Sequence, residues 1–457
     1  MLTDIRTPTN GARPDLRPLP ALLKTRDKDR LGQYTTALAY YRGKQWPAAR
    51  AASEPLRRLT VNYLRAITNK TASYVMQGRT TSVQPRSESD ADTTAAADAE
   101  RALNEIAANN ALDRLDHTTE IDCAVLGDAA FKITWDTADQ RVAITAPDMA
   151  GLFPWTHPAN PLRLLRLAHR YQIPQAEATQ LWGLRSADDP AWLIEDWTDD
   201  ALRIHIDDHF LPDLSFANPY GLIPYVVYPN EQVPKRWWGE SDVIPLYEVA
   251  QELNREFSRI SNILELSGNP IAILQGVEEA QNIQSYPGAV WTLPADGRAY
   301  ILDLLQHGAI AQHHEYLQSL QRALHDISET PRTAFGDNQR DLSGVALEVE
   351  LQPLLHKVAR KRLIRSDAYN HRAAIALALT DQYTGTDHLN AGTIITTWEA
   401  PTPQDRTREV NDETTLVAAQ LKSHRTSMAT LGQVDPDAEW ARIQEEQAQV
   451  ESQHGTV

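Results

Sequence analysis

Four histidines lie within about twenty residues of one another, His307, His313, His314 and His325, and imidazoles are common transition-metal ligands. On a helix, however, His314 and His325 would stand about 16 Å apart along the axis, too far to share an ion. Solvated or interface histidines are the better reading. Ser343 with Asp341 suggests a nucleophile and its helper, but no base accompanies them. Ser343 also stands just before an apolar-periodic run, which is the place of a helix N-cap. The run from His356 to Arg362, HKVARKR, continued by Arg365, is the strongest positive cluster. A helix spreads it over several faces, which suits solvent or a neighbouring subunit, with phosphate contact as the alternative. No GxxxxGK[ST], GxSxG or HExxH occurs, so phosphate-cradling loops, hydrolase elbows and zincin helices have no candidate. One cysteine, Cys123, excludes an intrachain disulfide and a Cys-based zinc site. No catalytic residue, metal or cofactor is expected.

The elements that must position any site are carried by 457 residues, 42% hydrophobic and 23% charged, enough for roughly three packed units. Lys and Arg total 44 against 61 Asp and Glu, a formal charge of −17. Tight non-specific grip on duplex phosphates normally needs a basic surface, so this balance argues against it as a property of the whole chain. The opening MLTDIRTPTNGARPDLRP lacks the apolar core of a signal peptide, and no stretch approaches the ~18 apolar residues of a membrane span. A soluble, intracellular protein is expected.

Residues 1–28 read as a flexible arm rich in Pro, Arg, Asp and Thr. A helix is expected over Leu56–Val75, stopping at Gly78. Two more follow, from about residue 100 to Leu112 and from His117 to Gly127. Ala129–Trp135 and Arg141–Thr145 read as a hairpin, and Trp192–Trp197, Leu202–Ile206 and Tyr225–Tyr228 as short strands. One amphipathic helix over 241–266 carries Leu246, Leu253, Phe257, Ile260 and Leu264 along an apolar stripe, with Ser241 as N-cap and Glu248 and Glu252 on the opposite face. Strands are expected at Ile271–Leu274, Ala289–Leu293 and Tyr300–Leu304, the last two joined at Asp296-Gly297. A helix over 311–328, a polar loop, and a long helix over 345–380 kinked at Pro353 come next, then a strand at Ile394–Trp398 and terminal helices. The fold class is α+β, mainly helical. Two long helices with a small β insert suggest a stalk and cap, whose stripe needs neighbouring helices to cover it.

Several short motifs recur in a fixed order over residues 40–400: Tyr40-Tyr41-Arg42-Gly43, Asn62-Tyr63, Tyr74 to Gly78, Gly127 before a strand, and Gly221 to Pro224. They continue with Tyr228-Pro229-Asn230, Trp238-Gly239-Glu240-Ser241-Asp242, Asn254, Asn269-Pro270, Asp341 to Leu347, Pro353-Leu354 and Lys357. In this order the chain resembles the portal (head-to-tail connector) proteins of tailed double-stranded DNA phages.

The resemblance implies an elongated subunit in a ring, commonly of twelve, at one capsid vertex of the virion, assembled in the host cytoplasm. Its parts would be an α+β wing (29–238), a stem helix (239–267), a clip (268–306), a second stem helix (307–329), a tunnel loop (330–343), a long kinked helix with a wing strand (344–400) and a helical crown (401–457). The tunnel loop would face DNA through Arg332, Thr333, Phe335, Asn338 and Arg340. Glu248, Glu252 and Gln321 would line the channel, and Leu246, Leu253, Phe257, Ile260 and Leu264 would form the subunit seam. Implied partners are other copies of the chain, double-stranded DNA in transit, the large terminase, the major capsid and scaffolding proteins and a head-completion or tail adaptor, with no membrane. The competing readings are a soluble hydrolase using carboxylates of 150–235 and a DNA-binding regulator using the basic helix.

Overall fold

A computed structural model describes residues 19–46, 58–183, 189–268, 272–275, 296–301, 309–336, 344–401, 406–432 and 435–454. The chain divides into two units, Met1–Trp398 and Glu399–Val457. The first opens with α1 (Leu19–Leu23), α2 (Lys28–Tyr41) and α3 (Tyr63–Met76). Asn62 caps α3, its side-chain oxygen accepting from the Arg65 amide, so the helix starts seven residues later than the apolar period alone suggests. β1 (Arg79–Pro85), α4 (Asp90–Asn109) and α5 (Leu112–Leu126) follow. Gly127 ends α5 with φ near +101°, a conformation that L side chains rarely adopt.

The centre of this unit is a three-stranded antiparallel sheet in the order β3-β2-β9, built from β2 (Asp128–Asp136), β3 (Arg141–Thr145) and β9 (Tyr225–Pro229). The expected hairpin is present, with Ile133 opposite Ile144. Both faces of this sheet are covered. On one side Phe131, Ile133 and Tyr228 pack against Tyr369, Ile375 and Leu379 of α9, a helix spanning Gly344–Thr384. On the other, Ala130 and Tyr225 pack with Leu152, Leu167, Trp197 and Leu202. Those four belong to a five-stranded antiparallel meander: β4 (Leu152–His157), β5 (Asn160–Ile173), β6 (Ala191–Trp197), β7 (Ala201–Ile206) and β8 (His209–Ala217). α6 (Gln175–Trp182) connects β5 to β6. Burial on both faces fits β2, in which Phe131, Ile133 and Trp135 alternate with Lys132 and Thr134, Lys132 pairing with Glu195 of β6.

After β9 the chain makes a short 3₁₀ turn at Ile244–Leu246 and enters α7 (Tyr247–Gly268). Ser241 does not cap the α-helix: it lies ahead of this turn, its hydroxyl accepting from the Val243 amide at 3.0 Å. α8 (Ala309–Ile327) packs on α7. His313 meets Glu256, and Leu324 shares a cluster with Leu246, so the two helices run antiparallel. β10 (Ala272–Gln275) pairs with β11 (Arg298–Ile301), Ile273 opposite Tyr300. The expected strand at Ala289–Leu293 lies outside the described residues. A second 3₁₀ turn, Arg332–Phe335, follows α8. α9 then runs unbroken through Pro353 for 41 residues. β12 (Gly392–Trp398) returns to pair antiparallel with β1, and Val83 joins Ala96, Ala99, Ala373 and Leu377 in a cluster beneath them.

The second unit holds α10 (Arg406–Ala418), α11 (His424–Thr430) and α12 (Pro436–His454). Here Lys422 pairs with Glu413 at 2.7 Å, and His424 stacks on Trp440.

Candidate functional site

The basic run on α9 is not a surface feature. Lys357, Lys361 and Arg365 recur every four residues and Arg372 follows seven later, so they stack on one helical face. That face points inward: all four are at most 5% exposed. Lys361 Nζ donates to Asn230 Oδ1 and to Asp242 Oδ2, each at 2.7 Å. Lys357 Nζ lies 3.4 Å from the same Asp242 carboxylate and donates to the Ser328 carbonyl at 3.2 Å. Arg365 forms a fork on Glu120, at 2.8 and 2.9 Å, and also reaches the Asn230 side chain. Arg372 makes a similar fork on Asp116, which Arg79 joins. Arg362 donates to the carbonyls of Tyr74, Val75 and Gln77, closing the C-terminus of α3, where a cation also meets the negative end of the helix dipole.

The anionic side is held by close backbone contacts. The Asn230 amide donates to the Gly127 carbonyl at 2.7 Å, and the Asp242 amide to that of Ala124 at 2.8 Å. A Cβ on Gly239 would lie 2.3 Å from the Gly127 oxygen, so only glycine lets this segment approach. Burial alone raises the pKa of Asp242, but Lys357 and Lys361 outweigh it and hold the carboxyl well below its ordinary value. The opposite case is Asp128, which accepts from the Gly239 amide and from Tyr34 Oη at 2.8 and 2.7 Å. There burial dominates and pushes the carboxyl up to about 6.

This arrangement corrects two expectations. The basic helix is neither a solvated face nor a phosphate grip, because its cations neutralise buried carboxylates and helix-end carbonyls; only His356 and Arg360 of the run point outward among its charged groups, and Arg360 pairs with Glu329 at 2.7 Å. The hydrolase reading fares no better. Glu195 and Asp196, the buried carboxylates among the described residues of the 150–235 region, are both engaged. Glu195 takes Lys132 in a fork together with Tyr171 Oη and Trp197 Nε1. Burial would raise its pKa, but Lys132 keeps it below the ordinary value. Asp196 is forked by Arg166 at 2.6 and 3.0 Å. Neither carboxylate is left to act as acid or base. Among the described residues no three His, Cys, Asp or Glu side chains converge to hold a metal ion, and no helix is long and apolar enough to cross a membrane.

The expected DNA-facing residues divide. Arg332, Thr333 and Phe335 lie on the 3₁₀ turn after α8, which Gly336 ends with φ near +84°. Ala334 anchors the turn in a cluster with Val75, Leu351, Leu354 and Val358. Phe335, 39% exposed, stands edge-on to His325 with Lys70 over its ring. Together with Tyr63, Ala66, Gln321 and Arg332 these two rings line a cavity of about 200 Å³. Asn338 and Arg340 lie outside the described residues.

Of the expected channel lining, Glu248 is exposed. Glu252 is matched by Arg255 and Arg259 of its own helix, and Gln321 donates to Tyr63 Oη at 3.0 Å. The apolar stripe of α7 divides too. Leu246 and Leu253, 2% and 0% exposed, are covered by their own chain, whereas Leu264 is 50% exposed and Phe257 and Ile260 are half-buried. A subunit seam therefore has only the far half of the stripe to use.

The buried network escaped the sequence because a basic run reads as solvent-facing. A signal was present: the cations share their helical face with Leu354, Val358 and Ala368, all buried. The ordered motifs around Asn230, Gly239 and Asp242 acquire a physical meaning here, since they form the joint that receives α9.

Comparison with known proteins agrees with this chain-wide pattern. No curated protein matches the chain. The family model described as "Phage portal protein, SPP1 Gp6-like" matches residues 21–453. The chain thus belongs to the SPP1 Gp6-like phage portal protein family, structural, non-enzymatic proteins of the virion that form the channel at a capsid vertex through which DNA is packaged and ejected.

Proposed function

We propose that this portal is a closed ring, of twelve subunits in the virion, in which α7 and α8 form the stem and residues 330–343 the loop that touches passing DNA. The family match supports ring assembly and DNA as the cargo. The observation that carries the finer reading is the 3₁₀ turn Arg332–Phe335: one residue, Ala334, is sunk in the core while Arg332 and Phe335 stay at the surface. A turn anchored so presents a cation from a fixed base. In this reading 29–238 with β12 is the wing, 268–306 the clip that meets the large terminase and then the tail adaptor, and 401–457 the crown facing the capsid interior. The seam between neighbours uses Phe257, Ile260 and Leu264. The capsid and scaffolding proteins meet the ring from outside.

The test changes Arg332 and Arg340 to Ala, or shortens the loop, and measures DNA packaging and retention with ring assembly checked separately. Intact rings that lose packaging or retention are the expected outcome. Intact rings with wild-type packaging would refute a role for the loop.

A further inference from the structure

One buried ammonium group joins the chain entering one stem helix to the end of the other. Asp242 lies five residues before the start of α7, ahead of the 3₁₀ turn, and α8 ends just before Ser328. Lys357 of α9 lies 3.4 Å from the Asp242 carboxylate and donates to the Ser328 carbonyl at 3.2 Å. The residue is 5% exposed and Ser328 2%, so this link is shielded from solvent. Lys361, one turn further on, binds Asp242 and Asn230, both on the side where the chain enters α7. The α8 end is itself an unusual stop. Glu329 takes a left-handed φ of 51° without being glycine, and Arg360, three residues after Lys357, holds its carboxylate. The Thr330 hydroxyl, buried, donates to the same Ser328 carbonyl at 3.0 Å. Two residues later the 3₁₀ turn begins.

We propose that Lys357 is a positioning residue for DNA passage, tying the segment that enters α7 to the residue that follows α8 and so setting the point from which the Arg332–Phe335 turn departs. The proposal rests on the reading above that this turn faces DNA. A cation suits the place, since the last carbonyls of a helix carry partial negative charge. The geometry also separates positioning from folding. Without the ammonium, Asp242 keeps Lys361 at 2.7 Å and the Asn230 amide at 3.1 Å, and the Ser328 carbonyl keeps Thr330. Each end stays satisfied, and only the link between them is cut.

The experiment compares assembled rings of wild type, Lys357→Met and Lys357→Arg, with Arg332→Ala alongside. Hydrogen exchange is read at the amides of Thr330, Ala334 and Gly336, which donate to His325, Pro331 and Thr333 carbonyls, and packaging is measured per intact ring. Lys357→Met is expected to speed exchange at these amides about tenfold, the scale of one lost charge-assisted hydrogen bond, and to lower packaging several-fold. Lys357→Arg is expected to restore both. Unchanged exchange in Lys357→Met would overturn the link itself. Faster exchange with normal packaging, while Arg332→Ala packages poorly, would leave the loop reading standing and overturn the positioning role. Normal packaging in all variants would overturn the loop reading and this inference with it.

Discussion

Arg365 and Glu120 are both 0% exposed, and their fork is what allows either charge to exist in the interior. Arg365→Met would strand the Glu120 carboxylate and is expected to cost about 3–5 kcal/mol. The double variant Glu120→Leu/Arg365→Met, which removes both charges, is expected to lose less than the single one; denaturant midpoints check the order. Two other buried groups set opposing pH dependences. Asp128 is raised to about 6 by burial, so its contribution to stability is full below about pH 4 and is lost as pH rises through 6. His169 is lowered to about 4, also by burial, so its contribution is full above about 6.5 and is lost as pH falls toward 4. Relative to wild type, Asp128→Asn should therefore gain stability as pH rises from 4 to 6, and His169→Asn should gain it as pH falls over the same range. Thermal midpoints from pH 4 to 7 test both signs, and parallel curves for all three proteins would contradict them.

At the scale of elements, the joint between α5, β9 and the entry to α7 depends on how closely two chain segments approach. A Cβ at Gly239 meets the Gly127 oxygen at 2.3 Å and the Asn230 nitrogen at 2.8 Å, both backbone atoms that cannot swing aside. Gly239→Ala is expected to cost about 1–3 kcal/mol, as overpacking does, and to loosen the Asn230–Asp242 side of the ion network. Gly32 in α2 is the control: nothing lies within 4 Å of its added Cβ. Gly32→Ala should stabilise by about 0.5–1 kcal/mol through helix propensity and a less disordered unfolded chain. Opposite signs in one thermal-shift experiment would confirm that approach distance, not glycine content, matters here.

For the whole molecule, the formal charge is −17. The cations that α9 withdraws from solvent, Lys357, Lys361, Arg365 and Arg372, are matched by the carboxylates they pair with, Asp242, Glu120 and Asp116 among them, so burial does not remove the acidic balance from the accessible surface. Assembled rings are expected to bind linear duplex DNA more weakly than about 1 µM at physiological salt, with a shallow salt dependence. A tighter constant with a steep slope would require many phosphate contacts and would contradict an acidic wall. Assembly itself should depend on the exposed end of the α7 stripe. Phe257→Asp or Leu264→Asp is expected to cost a ring several kcal/mol per contact where the charge is enclosed, seen as smaller species on native sizing. Unchanged rings of unchanged thermal stability would show that this stripe is not the seam.

The portal family was legible in the ordered motifs from Tyr40 to Lys357, and the α+β class in local signals. The hairpin at Ala129–Thr145 was readable because turn residues and alternating apolar positions are local. So were α7 and α8, whose apolar periods repeat over several turns, and α9, a long stretch with no glycine after its first residue. The rest depended on contacts distant in sequence. β1 and β12 pair residues more than 300 apart, and only their pairing makes Arg79–Pro85 a strand. β8 has no buried position, so it lacks a clean alternation and is defined by its ladder with β7. Most of all, the sequence shows where the charges of α9 are but not which way they face. Whether Lys361 meets water, phosphate or Asp242 is decided by the packing of α9 on β2 and β9, which brings together residues 119 positions apart and makes pairing the condition for burial.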